Sequence, residues 1–266
     1  MSNPWTLDYW QSGEYQAARE KLDDDQHAGY RINPSRTDLF RALSLCPEAK
    51  VRVAIIGQDP YPDSRFATGL AFSIPRHFTQ KEFPATLRCI YDEYHSDLGY
   101  PRPSHGDLSG WGRQGVLLWN AIPSCRAGVS LSHDWPGREW DYLTREIVQR
   151  LSARSCVFAF LGSTARRFVP DVETSSGSVI IQTSHPSPRG SLNSRTPFRG
   201  SRLFSTINDR LVGQGFKPID WKVEDVDRKD VLQEDSRVLE NVTGAELPGL
   251  PDQQVVPKYA ESTFEL

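Results

Sequence analysis

"VRVAIIGQDPYPDSRFATGLAFS", Val51 to Ser73, joins an apolar run to a cluster of polar and turn-forming residues without a spacer. The run Val51–Gly57 is rich in β-branched residues and far too short to cross a bilayer, so it reads as a buried strand. It stops at a glycine. Within the next four positions come an amide, an acid, a proline and a phenol, Gln58 to Tyr61, a combination that marks a constrained turn carrying chemistry. Three further runs have the same character: "GVLLWN" at Gly115–Asn120, "SCVFAFLG" at Ser155–Gly162 and "SVIIQTS" at Ser178–Ser184. Each reads as a buried strand. Between them lie helix-forming stretches, "ATLRCIYDEYHSDL", "REWDYLTREIVQRLSA" and "STARRFV". Strand and helix alternate, which predicts an α/β fold: a three-layer sandwich with a central four-stranded parallel sheet flanked by helices.

Working outward, "SRTDLFRALSL" before the first strand predicts a helix with Ser35 or Thr37 near its cap, and "SRLFSTINDRLVGQG" predicts a closing helix stopped by Gly213 or Gly215. The 266 residues are read as one domain, 1–221, followed by a tail, 222–266, that is acidic, poor in apolar positions and expected to be disordered. From Lys222 onward the tail holds eleven acids against five bases, so the overall charge of −3 hides a mildly basic body. That balance is compatible with a nucleic-acid partner. The four cysteines, Cys46, Cys89, Cys125 and Cys156, lack the paired spacing of a zinc or iron-sulfur site and read as reduced core thiols. With no leader-like start and no membrane-length run, the expected setting is cytoplasmic, without membrane association.

In open parallel sheets ligands collect beyond the carboxyl ends of the strands. Gln58, Asp59 and Tyr61 follow the first run, Asn120 ends the second, and His185 follows the fourth, so one rim is expected to carry all five. An amide at Asn120 offers a donor and an acceptor together, the pair needed to read a ring with a carbonyl beside an N–H. The prolines of "HPSP" present His185 from a stiff loop, and Asp59, before a proline, is placed to hold a water or face developing positive charge. Taken singly, each has an ordinary structural explanation: Asp-Pro and a strand-end Asn are common turn residues, and Tyr61 and Phe72 fit a core. Their joint occurrence at three strand ends points to a site.

"GQDPY", "GLAFS", "RQGVLLWN" and "HPSP", in this order, resemble the family 1 uracil-DNA glycosylases, and the likeness extends from about Asn33 to Trp221. The resemblance implies a DNA-repair hydrolase that flips deoxyuridine into a narrow pocket and releases uracil, leaving an abasic site, with no metal and no organic cofactor. It implies that Asp59 orients the water and stabilises the sugar cation, that His185 hydrogen-bonds the departing base at O2, and that Asn120 reads N3–H and O4. By the same resemblance Phe72 stacks on the ring, Tyr61 fills the space of a thymine methyl, and Gln58 lines the pocket. Thr86, Ser187 and Ser191 are implied as contacts to the DNA backbone. The expected partner is uracil-containing DNA, single-stranded or duplex, and the expected state is a monomer.

Two positions depart from the family pattern. Pro62 stands where the family usually has a histidine, and Arg189 where it has the leucine that fills the space of the flipped base. Leu192, three residues on, is a rival for that wedge. The competing readings are a protein that binds uracil-DNA without cutting it, a glycosylase of altered base range, and a nucleotide-binding or metal-dependent hydrolase. The last needs a phosphate loop or a ligand cluster, and the sequence has neither.

Overall fold

A computed structural model describes residues 5–188, 190 and 194–223. Its centre is a parallel sheet in the order β3-β2-β5-β6, built from β2 (Val53–Gly57), β3 (Val116–Asn120), β5 (Val157–Leu161) and β6 (Val179–Thr183). A separate antiparallel pair joins β1 (Ile32–Asn33) to β4 (Cys125–Arg126). The helices are α1 (Gly13–His27), α2 (Arg41–Leu45), α3 (Ala85–Leu98), α4 (Ser109–Arg113), α5 (Glu139–Ser152), α6 (Ser163–Arg166) and α7 (Leu203–Gly213). Each of the four predicted strands is present, trimmed by one or two residues at its ends. α3 coincides residue for residue with the predicted stretch.

Alternation along the strands decides which helix covers which face. Ile55 and Leu118 lie against Ile90 of α3, Trp111 of α4 and Phe204 of α7. The next residue of β3, Trp119, points to the other face, where its indole N–H donates to Thr144 Oγ1 of α5 at 2.9 Å. Thr144 in turn donates to the Ala121 carbonyl at 2.9 Å, so the buried indole and hydroxyl are both satisfied. Helices on both faces make the three layers that the strand–helix alternation predicts. α1, which the sequence pattern did not single out, packs outside α5.

Two expectations need correction. The helix predicted over Ser35–Leu45 is split into a 3₁₀ turn, Arg36–Asp38, and α2. The segment is pinned from outside: the backbone of Gly69 approaches so closely that a Cβ there would lie 2.0 Å from the Asp38 carbonyl oxygen, and Arg41 donates to the Thr68 carbonyl at 3.2 Å. The fourth strand is only partly buried, with Gln182 exposed, because β6 is an edge with β5 as its single neighbour. α7 ends as expected by glycine, Gly215 taking φ +81° just beyond its last turn.

The four cysteines are buried and unbridged, and burial pushes the thiols of Cys46 and Cys125 up to about 12. Trp221 is 1% exposed and lies edge-on to Trp111 and Phe204, with ring centroids 5.2 Å from each, so the body is packed up to that residue. The tail expected to be disordered falls, beyond Val223, outside the described residues. No helix among the described residues is long and apolar enough to cross a membrane.

Candidate active site

β2 and β3 end side by side, with Gly57 paired to Asn120 at the last rung. A Cβ on Gly57 would come within 2.8 Å of both Asn120 Oδ1 and Phe72 Cζ, so only glycine lets the amide and the ring close over the strand end together. Phe72 takes φ +67°, a left-handed backbone rare for a bulky residue. It is held there by its neighbours: the Tyr61 hydroxyl donates to the Phe72 carbonyl at 3.1 Å, and the Ala71 N–H donates to the Leu118 carbonyl of β3 at 3.0 Å. Burial raises the Tyr61 phenol well above its ordinary range, so it stays a donor.

The turn after β2 is clamped from two sides. Asn33 of β1 donates to the carbonyls of Tyr61 at 3.1 Å and Pro62 at 2.7 Å, and the Gly128 N–H donates to Pro62 at 2.9 Å. Inside the turn, the Gln58 amide donates to Asp59 Oδ1 at 3.0 Å while its own oxygen accepts from Thr164 of α6 at 3.2 Å. Asp59 Oδ2 accepts from the Ser130 hydroxyl at 2.8 Å and from the Leu131 N–H at 2.6 Å. The acid is therefore fixed through both oxygens.

His185 follows β6 and is seated by two glycines. A Cβ on Gly162, which has φ +99°, would lie 3.1 Å from the His185 Cβ, and one on Gly190 would lie 2.9 Å from its carbonyl oxygen. The loop is tied back by Ser184, whose N–H donates to the Thr196 carbonyl at 2.7 Å and whose hydroxyl accepts from the Phe198 N–H at 3.0 Å. Burial lowers the His185 pKa, and the Asp59 charge opposes this only in part, so the imidazole is neutral near pH 7. Its ring centroid is 6.5 Å from that of Phe72.

These residues surround one pocket of about 140 Å³, the scale of a single planar ring. Gln58, Asp59, Tyr61, Phe72, Asn120 and His185, which the sequence places on one rim or in one pocket, all line it, and so does Thr86, expected from the resemblance as a contact to the DNA backbone. Ser187 is not among the lining residues; its N–H donates to the His185 carbonyl at 2.8 Å and its hydroxyl accepts from the Gly190 N–H at 3.1 Å. Arg189, Ser191 and Leu192 lie outside the described residues. The sequence reading missed Ser130, which comes from the loop after β4, and Thr164 and Gly57. Ser130 sits in "GVSLSHD", which has no strand-end pattern to flag it, whereas Gly57 stood in plain view in the quoted motif. Among the described residues no group of three or more His, Cys, Asp or Glu side chains is placed to hold a metal ion.

Chemically, the pocket offers a fixed carboxylate, a neutral imidazole, a buried amide and an aromatic floor. The sequence profile of the Uracil DNA glycosylase superfamily matches residues 43–212, a span that includes every described pocket residue. Over 206 residues the chain is 41% identical to a uracil-DNA glycosylase of Mycobacterium sp. (strain KMS), covering 77% of this chain and 87% of that one. It is 39% identical over 197 residues to one of Mycobacterium tuberculosis (strain ATCC 25618 / H37Rv), covering 74% and 83%. The crystal structure of mimivirus uracil-DNA glycosylase superposes with a TM-score of 0.72 at 26% identity, covering 79% of this chain and 82% of that one. Pocket, profile and relatives agree: the chain belongs to the uracil-DNA glycosylase superfamily.

Proposed function

We propose that this chain is a family 1 uracil-DNA glycosylase that takes a deoxyuridine out of the stack and hydrolyses its N-glycosidic bond. The observation that carries the reading is the convergence of Asp59, Asn120, Phe72 and His185 on one ring-sized pocket at the carboxyl ends of β2, β3 and β6. In this reading the C1′–N1 bond breaks with its electron pair leaving on uracil, and a water adds through oxygen to C1′ while Asp59 accepts its proton. Before that transfer the ionised carboxylate faces the developing sugar cation. Neutral His185 donates a hydrogen bond to uracil O2 as negative charge grows there; an imidazole already neutral avoids the cost of burying a second charge.

Asn120 reads N3–H as acceptor and O4 as donor. Phe72 forms the stacking floor, and Tyr61, its hydroxyl fixed on the Phe72 carbonyl, blocks the space of a 5-methyl group. Thr86 at the pocket rim and Ser187 are assigned to the DNA backbone, and Arg189 to the gap left by the extruded base. Flipping costs a few kcal/mol from a pair and less from a single strand, which stacking and edge hydrogen bonds offset.

The deciding experiment is uracil release from an oligonucleotide in excess EDTA. Release is expected to continue under chelation, and Asp59→Asn and His185→Ala are each expected to slow the single-turnover rate by about 10²- to 10³-fold, the usual loss on removing one preorganised electrostatic group. Near-normal rates in both variants overturn the reading. Tight binding of uracil-DNA without any release points instead to a non-catalytic reader.

A further inference from the structure

We infer that Ser130 is a positioning residue for Asp59, acting with the backbone N–H of Leu131 to set the plane of the carboxylate; the inference rests on the role of Asp59 proposed above. Asp59 Oδ2 accepts from the Ser130 hydroxyl at 2.8 Å and from Leu131 at 2.6 Å, while Oδ1 accepts from Gln58 at 3.0 Å. An ionised carboxylate has about four acceptor positions. Three are occupied by the protein, so one is left for a proton of the attacking water, and its direction is set by the other three. Pro62, next to the pocket, carries no side-chain donor that orients either partner.

The turn that delivers Ser130 is built to stay in place. Leu131 takes φ +58°, a left-handed conformation uncommon for leucine, and it is this backbone that aims its N–H at the acid. Ser132 anchors the turn, accepting from the Arg126 N–H at 2.7 Å and donating to the Val129 carbonyl at 2.8 Å. On one side Arg126 grips Asp25 of α1 through two hydrogen bonds of 2.8 and 2.5 Å. On the other, buried His133 lies between Ser124 at 2.7 Å and Asp25 at 3.0 Å. Ser130 itself is exposed at the pocket mouth, so its hydroxyl does not serve merely to satisfy a buried group. The hydrogen bond is charge-assisted and reaches an oxygen whose placement controls the reaction distance, where errors of about 1 Å cost as much as 10²-fold.

The test is a cycle of Ser130→Ala and Ser130→Thr, each made in the wild-type chain and in Asp59→Asn, assayed for uracil release from a single-stranded oligonucleotide. The Leu131 N–H persists in every variant, so Ser130→Ala is expected to lower kcat about tenfold, the scale of one hydrogen bond to a charged group, with KM and Tm nearly unchanged. Ser130→Thr restores the rate to within about twofold, and in Asp59→Asn the loss from Ser130→Ala shrinks below about twofold, because the partner charge is gone. If Asp59→Asn is slow while Ser130→Ala runs at the wild-type rate, or is equally harmful in both backgrounds, the positioning role is overturned and the function stands. A wild-type rate in Asp59→Asn itself overturns both.

Discussion

Gly57 shows how an absent side chain builds a site: the space its Cβ would take is filled by Asn120 Oδ1 and Phe72 Cζ, each 2.8 Å from that point. Gly57→Ala is therefore expected to leave the protein folded, since the strand backbone is ordinary there, but to cut uracil release at least tenfold by displacing the amide and the ring; circular dichroism with single-turnover rates checks both halves, on the scale of overpacking strain of about 1–3 kcal/mol. In the proposed function Tyr61 and Asn120 divide the choice of base. Tyr61→Ala removes the ring whose hydroxyl is fixed to Phe72 and opens room for a methyl group, so thymine release is expected to appear. Asn120→Asp turns the buried donor into an acceptor for an amino group, so cytosine release is expected to appear. Oligonucleotides carrying each base, assayed with excess enzyme, check the pair; silence in both variants means the base lies in the pocket the other way round.

The element that carries Ser130 and Leu131 to Asp59 is the loop after β4, anchored on α1 through Arg126 and Asp25. Asp25 is held below the ordinary carboxylate range by the Arg126 guanidinium, against the opposing effect of burial. His133 is lowered chiefly by burial, and its geometry fits a neutral ring whose Nε2–H donates to Asp25 while Nδ1 accepts from Ser124. The signs agree. For His133 and His185 the unfolded chain binds protons first as pH falls below about 6.5, so the fold loses stability from there downward. Asp25 adds its own loss lower still, as pH falls below about 4 towards its depressed value. Thermal unfolding is expected to show a Tm that falls from pH 7 to 5 and again below 4; a Tm flat from pH 7 to 5 contradicts the histidine assignment. Because burial lowers the His185 pKa, the inflection its protonation gives to the pH–rate profile is expected below 6.5.

At the scale of the whole molecule, the site lies where the chain reverses its direction of growth across the sheet. From β2 the chain adds β3 on one side and then β5 and β6 on the other, so the loops leaving β2 and β5 part and open a crevice at their carboxyl ends. Gln58 and Thr164 meet across that crevice at 3.2 Å. The packed body reaches Trp221, and every described pocket residue lies between Gln58 and His185. Truncation after Trp221 is expected to keep uracil release and to strengthen nonspecific DNA binding at low salt, because eleven acids against five bases leave with the tail. Trp221→Ala, by contrast, is expected to destabilise the fold by about 3–5 kcal/mol, the cost of emptying a buried tryptophan site. Loss of activity in a soluble, folded truncation means the tail takes part in catalysis.

Local pattern determined a good deal of this protein. Four short apolar runs separated by helical stretches predict the parallel sheet, because strands buried on both faces, as β2, β3 and β5 are, must be apolar throughout, and polar residues at the ends of such runs have one rim to occupy. That is why the meeting of Asp59, Asn120 and His185 at one pocket is legible in the sequence. What local pattern cannot carry is partnership between distant segments. The break in the helix over Ser35–Leu45 depends on the approach of Gly69, and the short β1–β4 pair, two residues a side, has no periodicity to read. Buried Glu93 of α3 accepts from the Gly200 and Arg202 N–H groups at 2.6 and 2.7 Å where α7 begins, a pairing 107 and 109 residues apart. Ser130 belongs to the same class. A serine in an exposed turn is ordinary by sequence, and only the fold, by bringing that turn against the end of β2, sets its hydroxyl 2.8 Å from the carboxylate of Asp59.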